Sequence, residues 1–116
     1  MRARILIVED DWLIATEYVR VLVAAGYVIL GPFPKVAPAL AALADQAVDA
    51  ALLDLHLGAE NSLAVAVALK ERVIPFAFVT GHQAADLPKD LADRPVITKP
   101  VAHELLLDEV SRLLAA

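Results

Sequence analysis

A chain of 116 residues that is 59% hydrophobic, has a mean hydropathy of +0.64 and lacks cysteine holds enough apolar material for one packed domain. This excludes both a disordered chain and disulfide or thiolate chemistry. A net charge of −5 with a pI near 5.0 argues against a nucleic-acid backbone or an anionic membrane as partner, because either requires clustered Lys and Arg. The apolar run Ile5-Leu6-Ile7-Val8 before Glu9 is too short for a secretory leader and nothing approaches a membrane span, so the expected location is cytoplasmic.

Along the chain, short β-branched runs alternate with helical patterns, as in βαβ units that build a parallel sheet. Arg4 to Val8 reads as a strand buried on both faces. Asp11 to Ala25 follows as a helix with Ile14, Tyr18, Val21, Leu22 and Ala25 at helical spacing, Asp10 or Asp11 as N-cap and Gly26 as terminator. Tyr27 to Leu30 is a second strand, ended by Gly31-Pro32-Phe33-Pro34, and Val36 to Gln46 a second helix with Pro38 in its first turn. Ala50 to Asp54 is a third strand. The run Leu63 to Leu69 alternates like a strand, but its alternate residue is Ala; with Asn61 or Ser62 as cap, a helix over 63–72 is expected. Phe76 to Thr80 and Val96 to Thr98 are the fourth and fifth strands, and Val101 to Leu114 a closing helix with Ala102, Leu106, Val110 and Leu113 on one side. Between those strands, Gly81 to Pro95 has a glycine, prolines and few periodic apolar positions, so any fourth helix is short and irregular.

The functional signal lies where these strands end. Glu9 and Asp10 follow the first, Asp54 closes the third, Thr80 the fourth, and Lys99 follows the fifth. In an open parallel sheet the carboxyl ends of the strands share one crevice, so a single site would collect all five residues. Three carboxylates in one pocket repel by roughly 4 kcal/mol per close pair at 4 Å and an effective dielectric near 20. A hard divalent cation relieves this, and Mg²⁺ suits an all-oxygen set while keeping waters for incoming phosphate oxygens. Each residue alone has a plainer reading: acids cap helices, a strand-end Thr bonds to backbone, and a Lys before Pro is solvated. Their joint presence outweighs those readings.

Glu9-Asp10, Asp54, Thr80 with its small successor, and Lys99-Pro100 together resemble the receiver domain of two-component response regulators, the CheY-like family, across essentially the whole chain. The resemblance implies an α/β, doubly wound, five-stranded parallel sheet of order 2-1-3-4-5, with residues 1–116 forming a single domain. It implies that Asp54 accepts a phosphoryl group from a histidine kinase or phosphotransfer protein, that Thr80 and Lys99 bind the phosphoryl oxygens, and that Glu9, Asp10, Asp54 and the His56 backbone carbonyl hold Mg²⁺. Beyond its own phosphorylation and dephosphorylation such a domain is not an enzyme. His56 and His82 occupy positions that flank the phosphoryl group in receivers and are candidate modulators of its hydrolysis, and a cis bond before Pro100 would aim Lys99 inward. The segment Ile74 to His82 further resembles the subgroup nicknamed for a Phe-Ala-Thr-Gly signature, associated with HWE or HisKA2 histidine kinases, departing from it at Val79 and His82-Gln83. The family's switch aromatic is also missing, because Val96 stands three residues before Lys99; activation is then expected to use the Gly81 to Pro95 segment.

Trp12, Val19 and Val23, with Thr16 between them, form a second face of the first helix and a candidate docking surface for the kinase. With no effector sequence after the last helix, output is expected by protein contact or as a phosphate sink, free-standing or within a larger protein. One alternative is an aspartate-nucleophile phosphatase of the haloacid dehalogenase type, which needs a second Asp two residues after the nucleophile where this chain has His56. Another is a degenerate pseudo-receiver used only for binding.

Overall fold

In a computed structural model, residues 2–81 and 87–115 are described. The elements are β1 (Arg4–Val8), α1 (Trp12–Ala24), β2 (Val28–Phe33), α2 (Val36–Asp45), β3 (Ala50–Asp54), β4 (His56–Leu57), β5 (Glu60–Asn61), α3 (Leu63–Glu71), β6 (Phe76–Thr80), β7 (Val96–Thr98) and α4 (His103–Ala115). The main sheet is parallel throughout, in the order β2-β1-β3-β6-β7. Counting only its five strands, this is the 2-1-3-4-5 order expected of a doubly wound sheet.

Period-two alternation along the strands makes the two cores. Leu6, Val8, Leu53, Phe76 and Phe78 face α2 and α3, where the two phenyl rings meet edge to face at 5.6 Å. Ile5, Ile7, Leu52, Ala77, Val79 and Ile97 face α1 and α4 through Tyr18, Leu22, Leu106 and Val110. Because both faces are covered, the strands read as continuous apolar runs, and apart from Arg4 at the start of β1 their polar residues lie at the carboxyl ends.

Three departures from the sequence reading have local causes. First, β2 runs on to Phe33 instead of stopping at Leu30. The β1–β2 pairing shifts register between Leu6 and Val8, with Gly31 at φ +106°, where a Cβ would lie 2.7 Å from the Ile7 carbonyl oxygen. Only glycine fits there, and the Gly-Pro pair that reads as a stop marks a bulge. Second, the stretch after Asp54 contains a small antiparallel hairpin, β4–β5, with a two-residue loop opened by Gly58 at φ +65°. Third, α4 begins at His103, so Ala102 stays exposed while Glu109 joins Leu106, Val110 and Leu113 on the buried side. Within Gly81 to Pro95, where a short and irregular helix was expected, the described residues form a single 3₁₀ turn, Lys89–Leu91; residues 82–86, His82 among them, lie outside the described residues.

Candidate functional site

Local structure delivers each acid to the crevice separately. The bulged end of β2 accepts the Glu9 N–H at the Phe33 carbonyl, 3.0 Å, and so fixes the chain as it leaves β1. Asp11, not Asp10, caps α1, its Oδ1 accepting from the N–H groups of Leu13 at 3.0 Å and Ile14 at 3.2 Å. With capping done by its neighbour, Asp10 is left exposed at the rim. Asp54 closes β3 next to Val79 of β6, and Thr80, the following residue of β6, is buried and pairs with Thr98 of β7. The N–H of Lys99 then donates to the Thr80 carbonyl at 2.9 Å, which carries the lysine past the sheet edge and into the crevice.

The result is a buried charge cluster. Carboxylate oxygens of Glu9, Asp10 and Asp54 lie within 4.8 Å of one another. Lys99 Nζ bridges two of them, 2.7 Å from Glu9 Oε1 and 3.0 Å from Asp54 Oδ2, while Glu9 and Asp54 are only 3% and 7% exposed. The backbone N–H of Asp11 donates to Glu9 Oε2 at 3.1 Å and that of His56 to Asp54 Oδ1 at 3.3 Å. Burial, and then the nearby Asp54 carboxyl, push Glu9 up to about 7 against the opposing pull of Lys99. Burial works against the Lys99 ammonium, yet the two carboxylates outweigh it and hold Lys99 above its ordinary value. Tyr18, beneath the site on α1, is raised by burial and then by the charges of Glu9, Asp54 and Asp11.

The residues present fit Mg²⁺. The donors are all oxygen, three carboxylates meet with one ammonium to balance them, and Glu9 Oε1 is sealed from solvent with its ion pair to Lys99 but no well-formed hydrogen bond.

A profile of the response regulator receiver domain matches residues 5–111. The chain belongs to that family. The solution structure of SdrG from Sphingomonas melonis Fr1 is 39% identical to this receiver over 97% of each chain, with a TM-score of 0.84. The BeF3-activated conformation of SdrG from Pseudomonas melonis Fr1 is 40% identical over 98% of this chain and 99% of that one, TM-score 0.80. A CheY-like receiver from Methanospirillum hungatei JF-1 is 27% identical over 99% and 95%, TM-score 0.85. No curated protein matches. Receiver domains are signalling modules that bind Mg²⁺ at an acidic pocket and exchange with a kinase or phosphotransfer partner, and the Glu9-Asp10-Asp54 cluster lies at the carboxyl ends of this receiver's strands.

The remaining expected positions are distributed as follows. The Lys99–Pro100 peptide is cis and the ammonium points inward. His56 is exposed on β4. Val96 is half-buried against the α2–α3 core and also lines a groove of about 760 Å³ between β7 and α4. On α1, Trp12 and Leu13 are each 73% exposed and Val23 is exposed, whereas Val19 packs against the α1–α4 core. The free apolar patch therefore holds Leu13 in place of Val19. Among the described residues no helix is long and apolar enough to cross a membrane.

Proposed function

We propose that this receiver takes a phosphoryl group onto Asp54 from a histidine kinase or phosphotransfer protein, and that it signals by protein contact or serves as a phosphate sink. The observation that carries this reading is the Lys99 ammonium held between Glu9 and Asp54, at 2.7 and 3.0 Å, with Asp10 beside them. An Asp54 oxygen attacks phosphorus, the bond to the donor imidazole breaks, and the released nitrogen takes its proton from solvent. Lys99 keeps one Asp54 oxygen oriented and offers its charge to the transferring group, while the Thr80 hydroxyl is a further donor for it. Glu9, Asp10, Asp54 and the His56 carbonyl would hold Mg²⁺, which supplies neutralisation of charge on the phosphoryl oxygens.

The docking face we assign to α1, where Trp12 and Leu13 stand beside a cavity of about 390 Å³ lined by Ile14, Glu17, Tyr18, Lys99, Pro100 and Val101. The Phe76-Ala77-Phe78-Val79-Thr80-Gly81 segment supports a kinase of the HWE or HisKA2 type, in a bacterial cytoplasm. The presence of Asp54, Thr80 and Lys99 together disfavours the pseudo-receiver, and His56 in place of a second Asp disfavours the phosphatase.

Intact-mass measurement after incubation with Mg²⁺ and a small acyl phosphate tests the assignment. Wild type should gain one phosphoryl group and Asp54→Asn none; equal labelling of the two would remove Asp54 from its role.

A further inference from the structure

We infer that Glu60, on the small hairpin and outside the acid cluster, is a positioning residue for the phosphoacceptor site. Helix α2 starts without a cap of its own. Its N-cap position is Lys35, a cation with donors only, and no acid lies in its first turn. The N–H of Val36 is met instead from 24 residues away, by Glu60 Oε1 at 2.8 Å. A carboxylate at a helix N-terminus is favourable both as an acceptor and through the helix dipole.

What makes this bond more than a cap is the element that carries Glu60. Strands β4 and β5 pair through His56 with Asn61 and Leu57 with Glu60, and the N–H of buried Ser62 closes their base on the Leu55 carbonyl at 3.1 Å, still a short ladder for a hairpin that must hold a fixed orientation. Leu57 anchors the hairpin in the core, being 4% exposed. Glu60 supplies a second anchor on α2 and so fixes the hairpin's rotation about the first. On its other side the hairpin meets the site once, where the His56 N–H donates to Asp54 Oδ1 at 3.3 Å, and Gly58 leaves open space next to Asp10, since even a Cβ there would lie 4.0 Å from Asp10 Oδ2. Asp10, Lys35, Gly58 and Glu60 line one shared cavity of about 470 Å³, which joins the cap of α2 to the rim of the site. Glu60 thus transmits the position of α2 to Asp54 without touching the reacting atoms.

The role in phosphorylation rests on the function proposed above, so the test reads the hairpin and the cation as well as the chemistry. Three variants are compared with wild type: Glu60→Ala, which removes the acceptor; Glu60→Gln, which keeps a carbonyl oxygen; and Ala41→Gly, which loosens α2 at an exposed interior position and leaves Glu60 in place. Mg²⁺ is titrated by the fluorescence of Trp12, the chain's single tryptophan. Exchange and chemical shift of the His56 amide are followed by NMR without metal.

Glu60→Ala should weaken Mg²⁺ about tenfold, the lower end of the loss for residues that orient metal ligands. It should also speed exchange at His56. Glu60→Gln should restore most of both, and Ala41→Gly should lower the urea midpoint while leaving both unchanged. An unaltered His56 amide in Glu60→Ala overturns the inference, as does an equal loss of Mg²⁺ affinity in Ala41→Gly. Failure of wild type to bind Mg²⁺ counts against the proposed function instead, and the His56 comparison still decides for or against Glu60.

Discussion

Two ion clusters sit on α1 and its surroundings, and they differ mainly in water. At the carboxyl ends of the strands, Lys99 joins Glu9 and Asp54, with side-chain exposures of 18%, 1% and 8%. On the outer surface of α1, Glu17 pairs with Arg20 and lies 2.7 Å from His103 Nε2, at exposures between 43% and 62%. The geometry is equally close in both. In the outer cluster water screens the charges and competes for the hydrogen bonds, so the pairs contribute little; in the inner one every charge must be balanced by a neighbour. Removing one partner there leaves the rest stranded.

The largest expected effect breaks the inner cluster. Lys99→Ala should cost about 3 to 5 kcal/mol of metal-free stability at pH 8, because two buried carboxylates then lack their counter-charge. Urea unfolding measures it, and a loss no greater than that of a surface lysine variant would show that the site is well hydrated.

Next comes pH. The folded state holds the Glu9 proton more tightly than the unfolded chain, with its pKa raised from 4.5 to about 7. Stability from this group is therefore fully present below about 4.5 and is lost as pH rises through about 7, by at most about 3 kcal/mol. Wild type minus Glu9→Gln, in urea midpoints without metal from pH 4.5 to 8, isolates it; parallel curves would refute the shift. In the same window Mg²⁺ affinity should improve with pH as the competing proton leaves.

A smaller change is expected at the rim. Asp10→Asn should weaken Mg²⁺ binding, while metal-free stability holds or rises slightly because one source of repulsion is gone and Asp11 keeps the cap. A clear loss of metal-free stability would mean that Asp10 has a structural role that the Asp11 hydrogen bonds do not reveal. At the bottom of the scale, Glu17→Ala in the outer cluster should leave the urea midpoint within experimental error, and a measurable drop would undo the contrast between the two clusters.

How far the sequence foretells this molecule depends on whether a signal repeats. Strands buried on both faces announce themselves as apolar runs, and polar residues at their ends stand out, which is why Glu9, Asp10, Asp54, Thr80 and Lys99 were legible, whereas the strand order followed from the family resemblance alone. Isolated events were not. The β4–β5 hairpin is too short to show a period, so nothing in the sequence singles out Glu60. Gly31-Pro32 reads as a stop because the close approach to Ile7 that demands glycine is a tertiary fact. Glu109 interrupts the apolar stripe of α4 and is buried all the same, with Arg112 Nη1 at 3.3 Å. Val19 and Leu13 exchange places because α4 covers the side of α1 that periodicity alone left open.

The two margins of the sheet have a consequence for the chain's behaviour in a crowded solution. Strand β2 on one side contains Pro32, which has no N–H to offer, and β7 on the other is three residues long with Pro95 before it and Pro100 after it. A stray strand from another chain would find no continuous ladder at either margin, so a sheet made of apolar strands resists growing into a shared intermolecular one.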